Sequence, residues 1–194
     1  MYWKIYWQKG RKTIRSADIP TINTRRSMPD SFKKFIPLHK TNFMSLVYLG
    51  LGTNLGDKEQ NLNNTIQVLS IEVGNVLKRS SFYASKPWGF ESENDFLNAV
   101  VLVETYLSPF GLLTKTQEIE RNLGRTVKST VGYSDRLIDI DILVFDDLII
   151  DQPTLKVPHP LIAERDFVLN PLLEVAPELI DPVSKKRFQD LILP

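Results

Sequence analysis

Two aspartates, Asp139 and Asp141, stand two residues apart inside the apolar segment RLIDIDILVF, residues 136–145. Side chains alternate between the two faces of a strand, so a strand here places both carboxylates on one face, roughly 6.5 Å apart. At that distance two anions repel each other by about 2–3 kcal/mol at an effective dielectric constant near 20. Aspartate is also a poor strand former. The segment therefore needs a compensating cation.

Carboxylate oxygens are the ligands that hard divalent cations prefer. Mg²⁺ typically binds one or two carboxylates together with substrate phosphates, and a carboxylate pair can hold two ions about 4 Å apart for phosphoryl chemistry. The pattern Asp-x-Asp is common, however. It also fits a strand in which one aspartate forms a salt bridge and the other lies on an exposed edge. The two residues by themselves favour a metal site without establishing it.

The glycine-rich segment GLGTNLG, residues 50–56, has the spacing G-x-G-x-x-x-G. Dinucleotide-binding sites use G-x-G-x-x-G with an acidic residue further on, and this segment matches neither feature. We interpret it as a tight turn between a strand and a helix. The sequence also lacks G-x-x-x-x-G-K-S/T, which excludes a P-loop.

Several charged residues near the aspartates have two interpretations each. Gln117 and Glu120 lie one helical turn apart and either bind a ligand or form a solvated face. Arg125, Lys128 and Arg136 belong to a loop rich in glycine and serine, GRTVKSTVGYSDR. Glycine and serine make this loop flexible, as in a lid that closes over a site. Its basic residues either bind phosphate, as arginine does well, or belong to an ordinary solvated loop.

A histidine and two aromatic residues are further candidates. His159 lies between prolines in VPHP, and Arg165 follows it. A single histidine of this kind is more often structural than catalytic. Trp88 and Phe90 lie in a polar loop, where large aromatic side chains indicate a flat ligand, a partner or a small local cluster.

The order of predicted elements from residue 46 is β-α-β-β-α-β. Asp57 followed by Gln60 resembles a capping box, and Ser108-Pro109 is a good helix start. This order is the ferredoxin-like α+β pattern, an antiparallel sheet with two helices on one face. The predicted strands span 46–51, 76–85, 96–105 and 136–145, and the predicted helices follow Asp57 and run from Pro109 to Gly124. A hairpin in DDLII and two short helices near 161–165 and 170–176 are predicted as C-terminal additions.

Alternation assigns the faces of two strands. In 96–105 the buried face is Leu97, Ala99, Val101 and Val103, which places Phe96 and Asn98 together on the other face. In the aspartate strand, Ile138, Ile140, Ile142 and Val144 form the core face, and Leu137, Asp139, Asp141, Leu143 and Phe145 form the other.

Composition limits the classes of protein that remain. The sequence has no cysteine, which excludes disulfides and cysteine metal sites. It has no apolar run near the ~20 residues that span a bilayer and no secretory h-region. We therefore expect a cytoplasmic protein. Residues 1–43 carry ten Lys or Arg against two Asp, which fits a nucleic-acid arm, a targeting peptide or a dispensable extension, with the folded domain at 44–194.

Six segments together resemble one family, the 6-hydroxymethyl-7,8-dihydropterin diphosphokinases of folate synthesis. They are GLGTNLGD, SSFYASKPWG, DFLNAV, QEIERNLGR, RLIDIDILVF and VPHPLIAERDFVLNPLLEVAPEL. The resemblance covers the chain from about Val47 onward. The joint presence of R-x-I-D-x-D-I and V-P-H-P-x-x-x-x-R-x-F-V-L-x-P-L makes it highly specific.

The resemblance implies that ATP transfers its β,γ-pyrophosphoryl group to the pterin hydroxymethyl and leaves AMP. It implies two Mg²⁺ ions held by Asp139 and Asp141. It assigns catalysis to Arg125, Arg136, Asp139 and Asp141. It assigns ATP binding to Gln117, Glu120, Arg125, Lys128, Ile142, His159 and Arg165. It assigns pterin binding to Ser85, Pro87, Trp88, Phe96, Asn98 and Phe167, with the two phenylalanines stacking on the ring and Asn98 bonding its edge.

Three residues depart from the family pattern. Val127 stands where some members carry a further loop arginine, and Tyr133 where others carry tryptophan. Lys86 replaces a common proline, from which we expect a more mobile pterin loop. None of these departures affects the metal pair.

Two other functions fit parts of the sequence. A metal-dependent nucleotidyltransferase could share the carboxylate pair but would release pyrophosphate rather than AMP. Ferredoxin-like sheets also bind RNA, but the strands here lack the paired aromatics of an RNA-recognition module. We therefore expect a monomer with ATP and a pterin as substrates, and no nucleic acid or membrane partner.

Overall fold

The computed structural model of the protein describes residues 44–124 and 135–191. The predicted site residues Arg125 and Lys128 lie outside the described residues, as do the departures Val127 and Tyr133 and the basic extension at 1–43.

The described chain runs through seven strands and three α-helices, and it ends in a short 3-10 helix. The strands are β1 (Ser45–Thr53), β2 (Gly74–Arg79), β3 (Tyr83–Ser85), β4 (Phe96–Thr105), β5 (Asp139–Phe145), β6 (Ile150–Gln152) and β7 (Leu155–Val157). The helices are α1 (Lys58–Glu72), α2 (Pro109–Asn122), α3 (Asp166–Val175) and the 3-10 helix Phe188–Leu191.

The main sheet confirms the predicted ferredoxin-like topology. Its strand order is β2-β4-β1-β5, with β3 also pairing with β4, and all these pairings are antiparallel. Strands β1 and β4 pair along their whole length, from Ser45 opposite Thr105 to Thr53 opposite Leu97. This order places β5, the aspartate strand, at one edge of the sheet, next to β1.

The two predicted helix starts are present. The side chain of Asp57 accepts a hydrogen bond from Gln60 N at 3.0 Å, and the side chain of Ser108 accepts one from Gly111 N at 3.2 Å. Each bond satisfies a backbone donor that the first helical turn leaves without an intrahelical partner. The capping box at Asp57 is half-formed, because the Gln60 amide donates to Asn64 instead.

Both faces of the main sheet are buried under helices. Helices α1 and α2 cover the first face, where Leu62 and Leu112 pack with strand residues such as Leu49 and Val101. Helix α3 covers the second face, where Leu169 and Leu172 pack against Val100, Leu102 and Leu143. The C-terminal addition therefore completes the core, since it buries apolar strand residues that a two-helix fold leaves in water.

The predicted strand 76–85 is divided into β2 and β3. At the division, Ser80 N donates to Val100 O at 2.9 Å, while Val100 N donates to the Ser80 hydroxyl, also at 2.9 Å. The hydroxyl takes the place that a main-chain carbonyl occupies in a regular ladder. The strand therefore breaks at Ser80 although its neighbours remain paired.

Alternation in β5 fails after Ile142. Tyr48 pairs with Val144 and Leu49 with Ile142, so Leu143 is an extra residue in the β5 ladder. A bulge of this kind reverses the faces of the residues that follow it. Val144 consequently packs on the second face and Phe145 on the first, so the faces predicted for these two residues were wrong.

The chain after β5 also differs in two places from the prediction. Asp146 has a φ of 47°, and Leu148 N donates to Phe145 O at 3.0 Å, so the chain turns. The strand that follows, β6, pairs with β7 and not with β5. Residues 161–164 form turns, and the second predicted helix corresponds to α3, which starts at Asp166.

No helix within residues 44–124 and 135–191 is long and apolar enough to cross a membrane.

Helix α1 offers a matched test of this core. Leu69 is fully buried between the helix and the sheet, whereas Ile71 on the same helix is 82 % exposed. We expect Leu69→Ala to lower the free energy of unfolding by about 2–5 kcal/mol, and Ile71→Ala to change it by less than about 0.5 kcal/mol. Urea denaturation of both variants measures this. Equal effects of the two substitutions would contradict the packing described.

Candidate active site

The two aspartates of β5 lie opposite two glycines of β1. Asp139 pairs with Gly52, and Asp141 pairs with Gly50. A Cβ atom at Gly52 would lie 3.3 Å from Asn98 Oδ1, and one at Gly50 would lie 3.3 Å from the Leu143 side chain. The two glycines line the same cleft as both carboxylates, and a side chain at either position would press on Asn98 or Leu143.

This arrangement revises our interpretation of GLGTNLG as a turn. Gly56 does lie in the strand-to-helix turn, with a φ of 64° that favours glycine. Gly50 and Gly52 instead lie within β1. They line a cleft that opens to solvent, so in these two places the absence of a side chain shapes the site.

Most of the predicted site residues converge on this cleft. Those that line it are Ser85, Trp88, Phe96, Asn98, Arg136, Asp139, Asp141, Arg165 and Phe167. The predicted residues Pro87, Gln117, Glu120, Ile142 and His159 are not among the residues that line it.

Asp139 is paired with a cation from its own segment. Its Oδ2 lies 2.9 Å from Arg136 Nη1, and both side chains are largely buried. The Arg136 guanidinium also lies 5.6 Å from the centre of the Phe96 ring, within the range of a cation–π contact. Part of the repulsion between the aspartates is therefore offset by Arg136.

Asp141 keeps an unfavourable environment for negative charge. Burial raises the pKa of its carboxyl to about 7, and the nearby charge of Asp139 adds to the rise. Arg165 opposes this rise, and Glu120 adds to it. A carboxylate held in this way gains most from a nearby multivalent cation, since the cation offsets both desolvation and like-charge repulsion.

Glu120 ties α2 to the start of β5. It is buried, and its Oε1 accepts a hydrogen bond from Ile140 N at 2.9 Å. Ile140 lies between the two aspartates, so this bond fixes the strand where its side chains need a fixed spacing. Glu120 thus does not line the cleft but affects it in two ways: its hydrogen bond holds the aspartate strand in place, and its charge raises the pKa of Asp141.

His159 is a neutral imidazole with a defined tautomer. Its Nδ1 accepts a hydrogen bond from Leu161 N at 3.2 Å, which leaves the ring proton on Nε2. Burial lowers its pKa to about 4, and the positive charge of Arg165 contributes to the fall. Its main-chain N donates to Leu143 O at 2.8 Å, which attaches the VPHP segment to β5.

Arg165 connects the C-terminal part of the chain to the segment 86–95 through a cation–π contact with Trp88. It is buried, it immediately precedes α3, and its guanidinium lies 4.3 Å from the centre of the Trp88 ring. Helix α3 thereby brings Arg165 and Phe167 to the same cleft as the aspartates.

The aromatic side of the cleft is built from β4 with help from β3. Asn98 Nδ2 donates to Tyr83 O at 3.1 Å and to Ser85 Oγ at 3.0 Å. These two bonds orient the amide so that its oxygen faces Gly52. Phe90 packs edge-on against Phe96 with ring centres 6.0 Å apart, and the predicted common face of Phe96 and Asn98 is confirmed by their place in the cleft.

Sequence reasoning missed several residues that line the cleft, namely Gly50, Gly52, Lys86, Leu143 and Val168. A signal existed for the glycines: they repeat with the same period of two as the aspartates. Lys86 forms an ion pair with Asp95 at 2.9 Å. That pair joins the two ends of the segment 86–95, in which we expected greater mobility.

Comparison with known proteins gives a consistent result. A family model described as 7,8-dihydro-6-hydroxymethylpterin-pyrophosphokinase (HPPK) matches residues 48–177. The chain is similar to a Porphyromonas gingivalis protein called 2-amino-4-hydroxy-6-hydroxymethyldihydropteridine pyrophosphokinase, with 50% identity over 138 residues (70% of this chain, 94% of the relative). The Aquifex aeolicus protein of that name is 42% identical over 147 residues (76% of this chain, 90% of the relative).

Solved structures share the fold. A Plasmodium falciparum HPPK-DHPS structure with pteroate has a TM-score of 0.63 and 16% identity, and covers 79% of this chain. An HPPK-DHPS structure in complex with substrates has a TM-score of 0.61 and 13% identity, and covers 77%. This chain spans 44% and 43% of those two chains.

The environment of Asp141 predicts an unusual dependence of stability on pH. Because its pKa is about 7 in the folded protein and about 3.9 in a model peptide, protonated Asp141 favours folding at low pH. That contribution is lost as the pH rises to about 7. We expect Asp141→Asn to raise the free energy of unfolding at pH 8 in EDTA by on the order of 2–4 kcal/mol, and to have little effect at pH 4.

Denaturation with urea at both pH values checks this prediction. The control is Asp147→Asn, because Asp147 is exposed in the turn after β5. If Asp141→Asn changed the free energy of unfolding by the same amount at pH 4 and at pH 8, the prediction would be contradicted.

Proposed function

The chain belongs to the 7,8-dihydro-6-hydroxymethylpterin-pyrophosphokinase family, and we propose that it transfers the β,γ-pyrophosphoryl group of ATP to the hydroxymethyl group of the dihydropterin, leaving AMP. It is a pyrophosphokinase of folate biosynthesis. One observation carries the assignment of the site: the carboxylate pair, two arginines and two phenylalanines line one cleft. That the enzyme acts as a cytoplasmic monomer is part of the same proposal.

The donor set fits Mg²⁺. Asp139 and Asp141 supply hard oxygen ligands, and no group of three or more metal-binding side chains occurs within the described residues. Mg²⁺ that binds two carboxylates completes its coordination with water and substrate phosphates. We propose that the aspartates hold two such ions, whose chemistry would be to neutralise phosphate charge and to favour ionisation of the pterin hydroxyl.

The basic residues would bind and orient the triphosphate. Arg136 and Arg165 present their guanidinium groups in the cleft, where the charge that spreads over the transferring oxygens needs fixed donors. Neutral His159 does not line the cleft itself; it is proposed to donate its Nε2 proton to a phosphate oxygen on the strength of the family resemblance. Arg125 and Lys128 would add to this set. Gln117, Glu120 and Ile142 are proposed for the nucleotide on the strength of the family resemblance.

The aromatic side would bind the pterin. Phe96 and Phe167 offer ring faces on which a flat heterocycle stacks, and Asn98 Oδ1 offers a fixed acceptor to an N–H group on the ring edge. Ser85, Pro87 and Trp88 belong to the segment beside them. Gly52 matters here because a side chain in its place would contact Asn98 Oδ1.

The second face of the sheet is covered by a helix, which favours the enzyme over an RNA-binding module. Such modules stack bases on an open sheet face, whereas α3 packs here on Val100 and Leu102 of that second face.

The reaction itself is the first test. We expect the protein with ATP, Mg²⁺ and 6-hydroxymethyl-7,8-dihydropterin to form AMP and pterin diphosphate in equal amounts. Asp141→Asn should reduce kcat by more than about 100-fold, because a metal ligand is lost, while Asp147→Asn should retain wild-type turnover. Chromatography of the nucleotides measures both. Wild-type protein that forms no AMP above background, or that releases inorganic pyrophosphate, would overturn the proposal.

The two phenylalanines test the pterin side. A stacked aromatic pair contributes about 0.5–1.5 kcal/mol, so Phe167→Leu and Phe96→Leu should each raise the KM for the pterin by about 3- to 10-fold and leave the KM for ATP unchanged. Phe110→Leu is the control, because Phe110 lies on α2 and its side chain is about half exposed. A rise confined to the KM for ATP would contradict the assignment.

A further inference from the structure

The carboxylate of Asp135, one residue before Arg136, accepts hydrogen bonds from three side chains. Its Oδ1 accepts from Asn54 Nδ2 at 2.6 Å and from Ser92 Oγ at 2.7 Å, and its Oδ2 accepts from Asn94 Nδ2 at 3.0 Å. We refer to Asn54, Ser92, Asn94 and Asp135 as the polar bracket. The bracket joins three parts of the chain: the end of β1, the segment before β4 and the approach to β5.

Asn54 transmits the position of Asp135 to the main chain of Arg136. It is only 2 % exposed. Its Oδ1 accepts from Arg136 N at 2.8 Å, and its own main-chain N donates to Arg136 O at 3.2 Å. Because the Asn54 amide donates to Asp135, its oxygen must face Arg136. The Asn54 Nδ2 also donates to Asn94 O at 3.4 Å, but the Asp135 carboxylate, at 2.6 Å, is the closer acceptor. Asp135 therefore orients the amide that holds the main chain of Arg136.

The other half of the bracket holds the segment 86–95. Ser92 and Asn94 both donate to Asp135, and Asn94 N donates in turn to the Ser92 hydroxyl at 3.1 Å. The same segment carries Trp88 and Phe90, which line the cleft. One carboxylate is thus bonded to the segment that carries these aromatics and, through Asn54, to the residue that pairs with Asp139.

The charge of Asp135 strengthens these bonds. The hydrogen bond from Ser92 is the largest influence on its pKa, which lies below the ordinary range despite desolvation. Bonds to an ionised acceptor are roughly twice as strong as bonds between neutral groups. An exposed carboxylate without a role would be solvated by water, whereas three protein donors converge on this one.

We propose that Asp135 is a positioning residue that orients both halves of the cleft: Arg136 through Asn54, and the segment 86–95 through Ser92 and Asn94. This inference rests on the proposed function, which gives Arg136 to the phosphates and the segment 86–95 to the pterin. It follows that the two sides of the bracket affect different kinetic constants.

Single substitutions separate the two sides. Ser92→Ala removes one bond to the segment 86–95, so the KM for the pterin should rise about 3- to 5-fold with kcat unchanged. Asp135→Ala removes all three bonds, so the KM for the pterin should rise and kcat should fall, each by about 10-fold. Wild-type values of both constants in Asp135→Ala would overturn the proposal.

A polarity exchange tests the link between Asn54 and Asp135 directly. Asn54→Asp keeps an acceptor for Arg136 N but sets two carboxylates against each other, so kcat should fall by about 100-fold. Adding Asp135→Asn lets the side-chain amide at position 135 donate to the carboxylate at position 54. The double variant should therefore recover kcat to within about 5-fold of the wild type. A double variant no better than Asn54→Asp would overturn the link.

Hydrogen exchange keeps this inference separable from the proposed function. In substrate-free protein, the amide of Arg136 should be protected in the wild type and should exchange at least about 10-fold faster in Asp135→Ala. A wild type that forms no AMP would sink the proposed function alone. Equal exchange rates of the Arg136 amide in the two proteins would overturn the positioning role of Asp135. Thermal unfolding checks that each variant is folded.

Discussion

The repulsion between two neighbouring carboxylates on one strand is the constraint around which this structure is arranged. Asp139 is partly compensated by Arg136 at 2.9 Å, whereas burial and the charge of Asp139 raise the pKa of Asp141 to about 7. A strand that is paired with β1 and tied to α2 by Glu120 keeps the two groups together at a fixed spacing. The protein therefore maintains, at some cost to its own stability, a site that a divalent cation would relieve.

The fold supplies what such a site needs from two different layers. Strand β1 contributes the absence of side chains at Gly50 and Gly52. Helix α3 buries the second face of the sheet, and the residues at its start, Arg165 and Phe167, reach the cleft. The element that completes the hydrophobic core is thus also the one that brings a cation and an aromatic ring to the carboxylates. Stability and function share the same packing here.

Sequence patterns predicted what depends on local periodicity, such as the strand order, the helix starts and the common face of the aspartates. They failed where a single residue overrode the period: the Ser80 hydroxyl replaces a ladder bond, and Leu143 is an extra residue in β5. They also could not find contacts between distant parts of the chain. Asn54 and Asp135, which are 81 positions apart, have no signal in one sequence that pairs them.

We propose that Asp139 and Asp141 tolerate each other because they bind magnesium together with the triphosphate of ATP. A crystal structure of the enzyme with Mg²⁺, a non-hydrolysable ATP analogue and the dihydropterin tests this claim most directly. We expect metal ions bound to both carboxylates and to phosphate oxygens, with the pterin between Phe96 and Phe167. An analogue bound in the cleft while both carboxylates carry no metal would contradict it.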